Sequence, residues 1–104
     1  RVGAELLYPS LFDDVLYRIR GLTDYRAFLI REGREELLTF EVELVEHHAG
    51  TENQVVQAVS ALPAIRRCLD NGYLSALGVK IVEYGQLRRA GRSKQRIVDN
   101  RPTR

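Results

Sequence analysis

Several features are scarce or missing in this chain of 104 residues, and each absence reduces the range of structures and functions that the chain can have. A single cysteine, Cys68, excludes an internal disulfide, which favours a reducing compartment or indifference to redox. The expected location is cytoplasmic. No apolar run approaches the roughly 18 residues of a membrane-spanning helix, so no membrane partner is predicted. Methionine is absent and the chain starts at Arg1. We therefore expect either a processed N-terminus or a piece cut from a longer protein.

Charge is distributed unevenly along the chain. Residues 1–87 hold 9 Lys and Arg against 13 Asp and Glu, a net charge of −4. Residues 88–104 hold 7 Lys and Arg, and their only acidic residue is Asp99, a net charge of +6. A basic end of this kind attracts phosphates, whether in nucleic acid, a nucleotide or coenzyme A, or it is simply a solvated tail. The length fits one small domain.

The hydrophobic pattern predicts elements in the order β-α-β-β-α-β. Apolar residues alternate with Thr39, Glu41 and Glu43, so this strand is expected to have one buried and one acidic face. Pro63 interrupts the second helical region, which predicts a kink or two short helices. The predicted strands are 2–8, 25–31, 37–45 and 79–84, and the apolar pair 97–98 forms either a small strand or a docking segment. The predicted helical regions are 10–20 and 51–77, the second opened by a capping box at 51–54.

This order favours an α+β fold of the ferredoxin-like type. In such a sandwich two helices pack on one face of an antiparallel sheet. Strands 25–31 and 37–45, joined by a short turn at Gly33, are predicted to form an antiparallel hairpin. A basic C-terminal loop and tail would follow the last long strand.

Few residues suggest chemistry by their spacing. His47 and His48 are adjacent and match no zinc pattern, so no metal site is predicted. Cys68 follows two arginines, which could activate its thiol, although a free cysteine is more often buried packing. No nucleophile–base arrangement and no glycine-rich phosphate loop is evident. The basic segment 85–101 remains, where Lys94 could place a cation on a phosphate or carboxylate.

Two stretches carry a resemblance to a known family. Residues 1–10, Arg-Val-Gly-Ala-Glu-Leu-Leu-Tyr-Pro-Ser, precede Phe12-Asp13-Asp14-Val15-Leu16, and residues 96–101 read Arg-Ile-Val-Asp-Asn-Arg. Together with the element order, they resemble the C-terminal domain of phenylacetate–CoA ligase and related adenylate-forming enzymes. The resemblance covers residues 1–101, a C-terminal lid domain, and leaves 102–104 as a tail. The family hinge lies just before the position of Arg1.

The resemblance implies a mobile domain of an ATP-dependent ligase, inactive alone. Its partner would be an N-terminal adenylation domain of the same parent chain, which binds ATP, Mg and an aryl or other carboxylic acid. A loop lysine would contact the carboxylate and phosphate during adenylate formation. The domain would then turn a second face inward for attack by coenzyme A. On this basis the catalytic residue is Lys94, and the cofactor-binding residues are Arg92, Ser93, Gly3 and Ala4.

The sequence departs from the family pattern at two places. The family lysine usually follows glycine, with two residues between it and the arginine of the terminal motif. Here Lys94 follows Ser93 and only Gln95 separates it from that arginine, so either Ser93 or Lys94 can occupy the lysine position. Near the start, Ala4 and Leu6 replace the usual glycine and asparagine, which affects the coenzyme A face.

The alternative is a stand-alone ferredoxin-like module that binds a small ligand, forms oligomers or, less favourably, binds RNA. RNA-recognition domains share the element order and stack bases on exposed aromatic residues. In the strand 37–45, Phe40 is in phase with the buried residues, while Glu41 and Glu43 would repel phosphates. Nucleic acid is therefore not the expected partner.

Overall fold

The computed structural model describes residues 2, 6–46, 49–85, 87 and 97–101. The strands form one sheet in the order β3-β2-β1-β4, in which β1 and β2 pair antiparallel. The pairings of β2 with β3 and of β1 with β4 are parallel. The α+β class is therefore confirmed, whereas the sheet is mixed and not wholly antiparallel. The elements are α1 (Pro9–Leu16), β1 (Leu22–Glu32), β2 (Glu35–Leu44), α2 (Thr51–Ser60), α3 (Pro63–Asp70), β3 (Ala76–Val82) and β4 (Ile97–Asp99).

The β1–β2 hairpin is the centre of the sheet and confirms the predicted antiparallel pair. Its register runs from Leu22 opposite Leu44 to Glu32 opposite Glu35. The two strands are thus joined by two residues, of which Gly33 has a φ of +62°. Two-residue hairpin turns need positive φ at their first position, which glycine adopts without a steric penalty.

The starts of α2 and α3 are marked by a glycine and a proline. One of the two helix starts differs from the prediction. Pro63 opens α3 and separates it from α2, so the prediction of two short helices is confirmed. The residue preceding α2 is Gly50 in a left-handed conformation, and no side chain caps the helix. The predicted capping box at Thr51 is therefore wrong, because Thr51 is already the first helical residue and is buried.

Several boundaries differ from the sequence prediction: α1 ends at Leu16 instead of residue 20, β1 is longer than predicted at both ends, and β3 starts and ends earlier. The second helical region ends at Asp70 instead of residue 77, and the following Gly72 has a φ of +76°. Gly78 lies inside β3 opposite Thr39, where a Cβ atom would come within 3.2 Å of the threonine Oγ1. The close approach of the two strands explains why a glycine stands in a strand. In the predicted strand 2–8, Val2 forms an isolated bridge and residues 6–8 have no regular structure; residues 3–5 lie outside the described part.

The core lies between the helices and one face of the sheet. Within the described residues, α1, α2 and α3 contribute to it, because the break at Pro63 divides the second predicted helical region into two helices. Phe12 of α1 packs edge-on against Phe40 of β2, with ring centres 5.2 Å apart. The hydroxyl of the buried Tyr25 donates to the Asp13 carboxylate, which ties α1 to β1. Within the described residues, no helix is long and apolar enough to cross a membrane.

Candidate functional site

The residues predicted to carry the chemistry lie outside the part of the chain that the structure describes. So do the two adjacent histidines at 47 and 48. What the structure does show is how the chain is held on both sides of residues 88–96, called the basic segment from here on, at Leu87 and at β4. The predicted residues concerned are Gly3, Ala4, Arg92, Ser93 and Lys94.

The C-terminal side of the basic segment is fixed by β4. This strand pairs with the middle of β1, placing Ile97 opposite Ala27 and Asp99 opposite Leu29. The backbone N–H of Asn100 donates to the carbonyl of Leu29 at 2.8 Å and extends the ladder by one bond. Ile97 also packs against the core. The chain is thus anchored on the sheet one residue after Arg96.

Arg101 holds the end of β4 on the sheet through charged hydrogen bonds. Its Nε and Nη2 donate to the two carboxylate oxygens of Asp99 at 2.9 and 2.7 Å, a bidentate arrangement. Its Nη1 donates to Glu36 of β2 at 2.8 Å, and the other oxygen of Glu36 accepts from Arg31 of β1 at 2.9 Å. The terminal Arg-x-x-Asp-x-Arg pattern therefore marks a network that ties β4 to the central hairpin.

The network shifts the ionisation of its members. The hydrogen bonds from Arg101 lower the pKa of Asp99 to about 2. Hydrogen bonding by Arg101, and to a smaller extent by Arg31, lowers the pKa of Glu36. The carboxylate of Asp99, followed by that of Glu36, raises the pKa of Arg101. The shifts of Asp99, Glu36 and Arg101 all favour the charged forms, so these three groups stay ionised at neutral pH.

The N-terminal side of the basic segment is held by a buried carboxylate. Glu43 of β2 is only 5% exposed, and its Oε2 accepts a hydrogen bond from the backbone N–H of Leu87 at 3.2 Å. Its Oε1 accepts from the hydroxyl of Thr23 at 2.8 Å. The prediction of an exposed acidic face is thus wrong for Glu43. Sequence alone gave no signal for this role, because the contact joins residues 44 positions apart.

The sheet face opposite the helices carries charges in register across three strands. Arg26, Glu41 and Lys80 are successive neighbours on β1, β2 and β3. The guanidinium of Arg26 lies over the Phe28 ring at 5.3 Å, and its buried Nε has no hydrogen-bond partner. Phe28 is the one aromatic residue that the described strands place on this face. RNA-recognition sheets stack two or three bases on aromatic residues, so this face does not form such a platform.

The remaining candidates form no catalytic arrangement within the described residues. Cys68 is fully buried in the core, with its Sγ 3.8 Å from the carbonyl oxygen of Val2. No group of three His, Cys, Asp or Glu side chains in this part of the chain could hold a metal ion. A groove of about 370 Å³ between the ends of β2 and β3 is mainly apolar, with Glu83 and Tyr84 at its border.

Comparisons with known proteins give one matching family model and several solved structures of similar fold. A comparison with curated proteins finds no match. Among solved structures, the chain is similar to a domain of phenylacetate-coenzyme A ligase from Bacteroides vulgatus ATCC 8482, with a TM-score of 0.61 and 22% identity over 94% of this chain and 88% of that one. It is also similar to 2-hydroxyisobutyryl-CoA ligase in complex with 2-HIB-AMP and CoA in the thioesterification state, with a TM-score of 0.65 and 21% identity.

That alignment covers 90% of this chain but 19% of the 2-hydroxyisobutyryl-CoA ligase chain. The match is therefore to one domain of a larger enzyme. The model of the AMP-binding enzyme C-terminal domain matches residues 4–101, almost the whole chain. The protein belongs to the family of AMP-binding enzyme C-terminal domains.

Proposed function

We propose that this chain is the mobile C-terminal domain of an ATP-dependent carboxylate–CoA ligase of the phenylacetate–CoA ligase type. The family match over residues 4–101 supports the proposal, as does the fold shared with domains of two CoA ligases. An N-terminal adenylation domain of the parent chain would bind ATP, Mg and the carboxylic acid. The isolated domain would be inactive, and the parent enzyme cytoplasmic.

The proposed reaction has two steps, and the domain contributes to each. In the first, a carboxylate oxygen attacks the α-phosphorus of ATP and pyrophosphate leaves. The ammonium group of Lys94 would stabilise the negative charge on the phosphate and carboxylate, while Arg92 and Ser93 help to hold the nucleotide. In the second, the sulfur of coenzyme A attacks the acyl carbon and AMP leaves. Gly3 and Ala4 would line the face turned inward for that step.

The observation that carries this proposal is the way both sides of the basic segment are fixed to the hairpin. Leu87 is bonded to Glu43, and β4 is bonded to β1 and to Glu36 through Arg101. A cationic side chain that contacts a phosphate in another domain works best when the backbone on both sides of its segment is fixed. Misplacement of such a group by about 1 Å lowers the rate roughly 100-fold.

The test uses the full-length ligase that contains this domain. We expect Lys94→Ala to slow adenylate formation, measured as pyrophosphate release, by about 100-fold or more. Thioester formation from preformed acyl-adenylate should stay within about twofold, because that step uses the other face. Arg92→Ala is the matched control and should have a smaller effect. Equal loss in both half-reactions would contradict the role of Lys94, and a larger loss for Arg92→Ala would assign the working cation to Arg92.

The alternative register has its own test. If Lys94 occupies the lysine position, the double variant Ser93→Lys/Lys94→Ser moves the ammonium group by one residue and should be as slow in adenylation as Lys94→Ala. Faster adenylation in the double variant than in the native enzyme would identify position 93 as the one that the family lysine occupies.

A further inference from the structure

We infer that Glu43 is a positioning residue for adenylate formation, acting through the backbone N–H of Leu87. The inference rests on the proposed function, since it is the placement of Lys94 that Glu43 would control. The role of Glu43 would be to fix the point from which the basic segment leaves the sheet.

The first argument is the environment of the Glu43 carboxylate. Leu87 and Val82 are buried, yet neither belongs to the main core between helices and sheet. Val82 is the strand neighbour of Glu43, so the carboxylate lies beside apolar side chains. Burying a carboxylate costs free energy unless its oxygens are well hydrogen-bonded. Here the described donors are neutral, the Thr23 hydroxyl and the Leu87 N–H. An apolar residue would serve stability alone at least as well.

The second argument is that the two carboxylate oxygens of Glu43 bind different donors. Oε1 is held by Thr23, whose hydroxyl also lies 3.2 Å from the Glu43 carbonyl oxygen. This contact fixes the side-chain orientation from the neighbouring strand. Oε2 is then presented to Leu87. The carboxylate thus links Thr23 of β1 to residue 87 through two hydrogen bonds. Rotation of the Glu43 side chain would break the bond to residue 87.

The third argument compares chain length with the distance between the anchors. Glu43 pairs with Asp24 on β1, while Ile97 pairs with Ala27 on the other side of the same strand. Three residues along a strand and two strand spacings place these points about 14 Å apart. Ten residues can span up to about 33 Å. The length of chain between the two anchors exceeds the distance between them, so the bond from Leu87 to Glu43 is the restraint that the described residues supply at the N-terminal anchor.

Activity of the full-length ligase provides the first test. Glu43→Ala should lower kcat for adenylate formation by about 10- to 100-fold. The KM for the acid and the rate of thioester formation from preformed adenylate should change by less than about twofold, since neither depends on the Lys94 ammonium. Glu43→Gln should restore most of kcat, because its amide oxygen accepts from Leu87 while its NH₂ donates to the Thr23 hydroxyl. Glu41→Ala, on the same face of the same strand, is the matched control and should be near native.

A second measurement does not depend on catalysis. In the 104-residue chain, hydrogen exchange at the Leu87 amide should be faster in Glu43→Ala than in the native protein, and near native in Glu43→Gln and Glu41→Ala. Unchanged exchange in Glu43→Ala would overturn the inference, and so would equal loss of both half-reactions. If Lys94→Ala is inactive while Glu43→Ala is fully active, the inference fails and the proposed function stands. If Lys94→Ala retains full adenylation, the proposed role of Lys94 fails and the catalytic part of this inference fails with it.

Discussion

Replacing Arg101 by leucine should destabilise the domain in a manner that depends on pH. At pH 7 the substitution removes three charged hydrogen bonds and leaves Asp99 and Glu36 with fewer donors. The Arg101 side chain is 17% exposed and that of Glu36 is 21% exposed, so solvent compensates only in part. Hydrogen bonds to charged groups contribute about 1.5–3 kcal/mol each in protected sites. We expect a loss of about 2 kcal/mol in the free energy of unfolding at pH 7.

The pH dependence follows from the lowered pKa values. For Asp99, a fall from the ordinary 3.8 to about 2 corresponds to ~2.4 kcal/mol. Half of its side chain is exposed, so solvent screening reduces the expected contribution to about 1 kcal/mol. Because the folded pKa is depressed, this stability is fully present above the ordinary value and is lost as pH falls toward 2. Glu36, whose pKa is also lowered, adds to the loss in the same direction.

The assay is urea unfolding followed by circular dichroism at pH 7 and pH 2.5. The difference between the native protein and Arg101→Leu should fall by about half at pH 2.5, because this pH lies below the ordinary pKa of Asp99 and close to its lowered one, so that much of the stability is already lost. Arg66→Leu is the matched control, because the exposed pair Arg66–Asp70, 3.6 Å apart, should contribute less than about 0.5 kcal/mol. An equal loss for Arg101→Leu at both pH values would refute the electrostatic account of the network.

Two further substitutions test the packing of the sheet by urea unfolding at pH 7. Phe40→Ala should cost about 3–5 kcal/mol, because Phe40 is fully buried and contacts Phe12; a loss below about 1 kcal/mol would show that the site collapses or is not core. Gly78→Ala should be near neutral alone and stabilising by about 0.5–1 kcal/mol in a Thr39→Ala background, where the 3.2 Å contact is gone. Identical effects in both backgrounds would rule out the contact as the cause.

The hairpin and the division at Pro63 were predictable because both depend on local signals. Alternating burial in β2 is a period-two pattern, and proline ends a helix by its own geometry. The boundary of β3 was missed for a different reason. Leu74 and Leu77 continue the helical spacing of α3, but Leu74 reaches the core after the turn at Gly72. The position of Leu74 in the sequence therefore fits both a continued helix and a chain that turns at Gly72. Only the glycine indicates the turn.

The parallel pairings and the anchors were beyond the reach of sequence patterns. Which strand lies beside β1 depends on crossovers that periodicity does not encode. The resemblance did point to Asp99 and Arg101 through the terminal motif, but Glu36, their partner 65 positions away, gave no signal. Glu43 was interpreted as a solvated acid because it alternates with apolar residues. It is in fact buried, and its carboxylate accepts a hydrogen bond from Leu87, which lies 44 residues further along the chain.

The placement of β4 at the edge of the sheet, far along the chain from its partner β1, has a consequence for the order of folding. The β1–β2 hairpin brings together residues at most 22 positions apart, whereas the bond between Arg101 and Glu36 closes a loop of 65. Loop-closure entropy grows with separation, so local pairings form before distant ones. We expect β4 to dock last and to leave first. In folding, the strand that follows the basic segment would then be added to a hairpin that is already formed, and its docking is the step that fixes the C-terminal end of that segment.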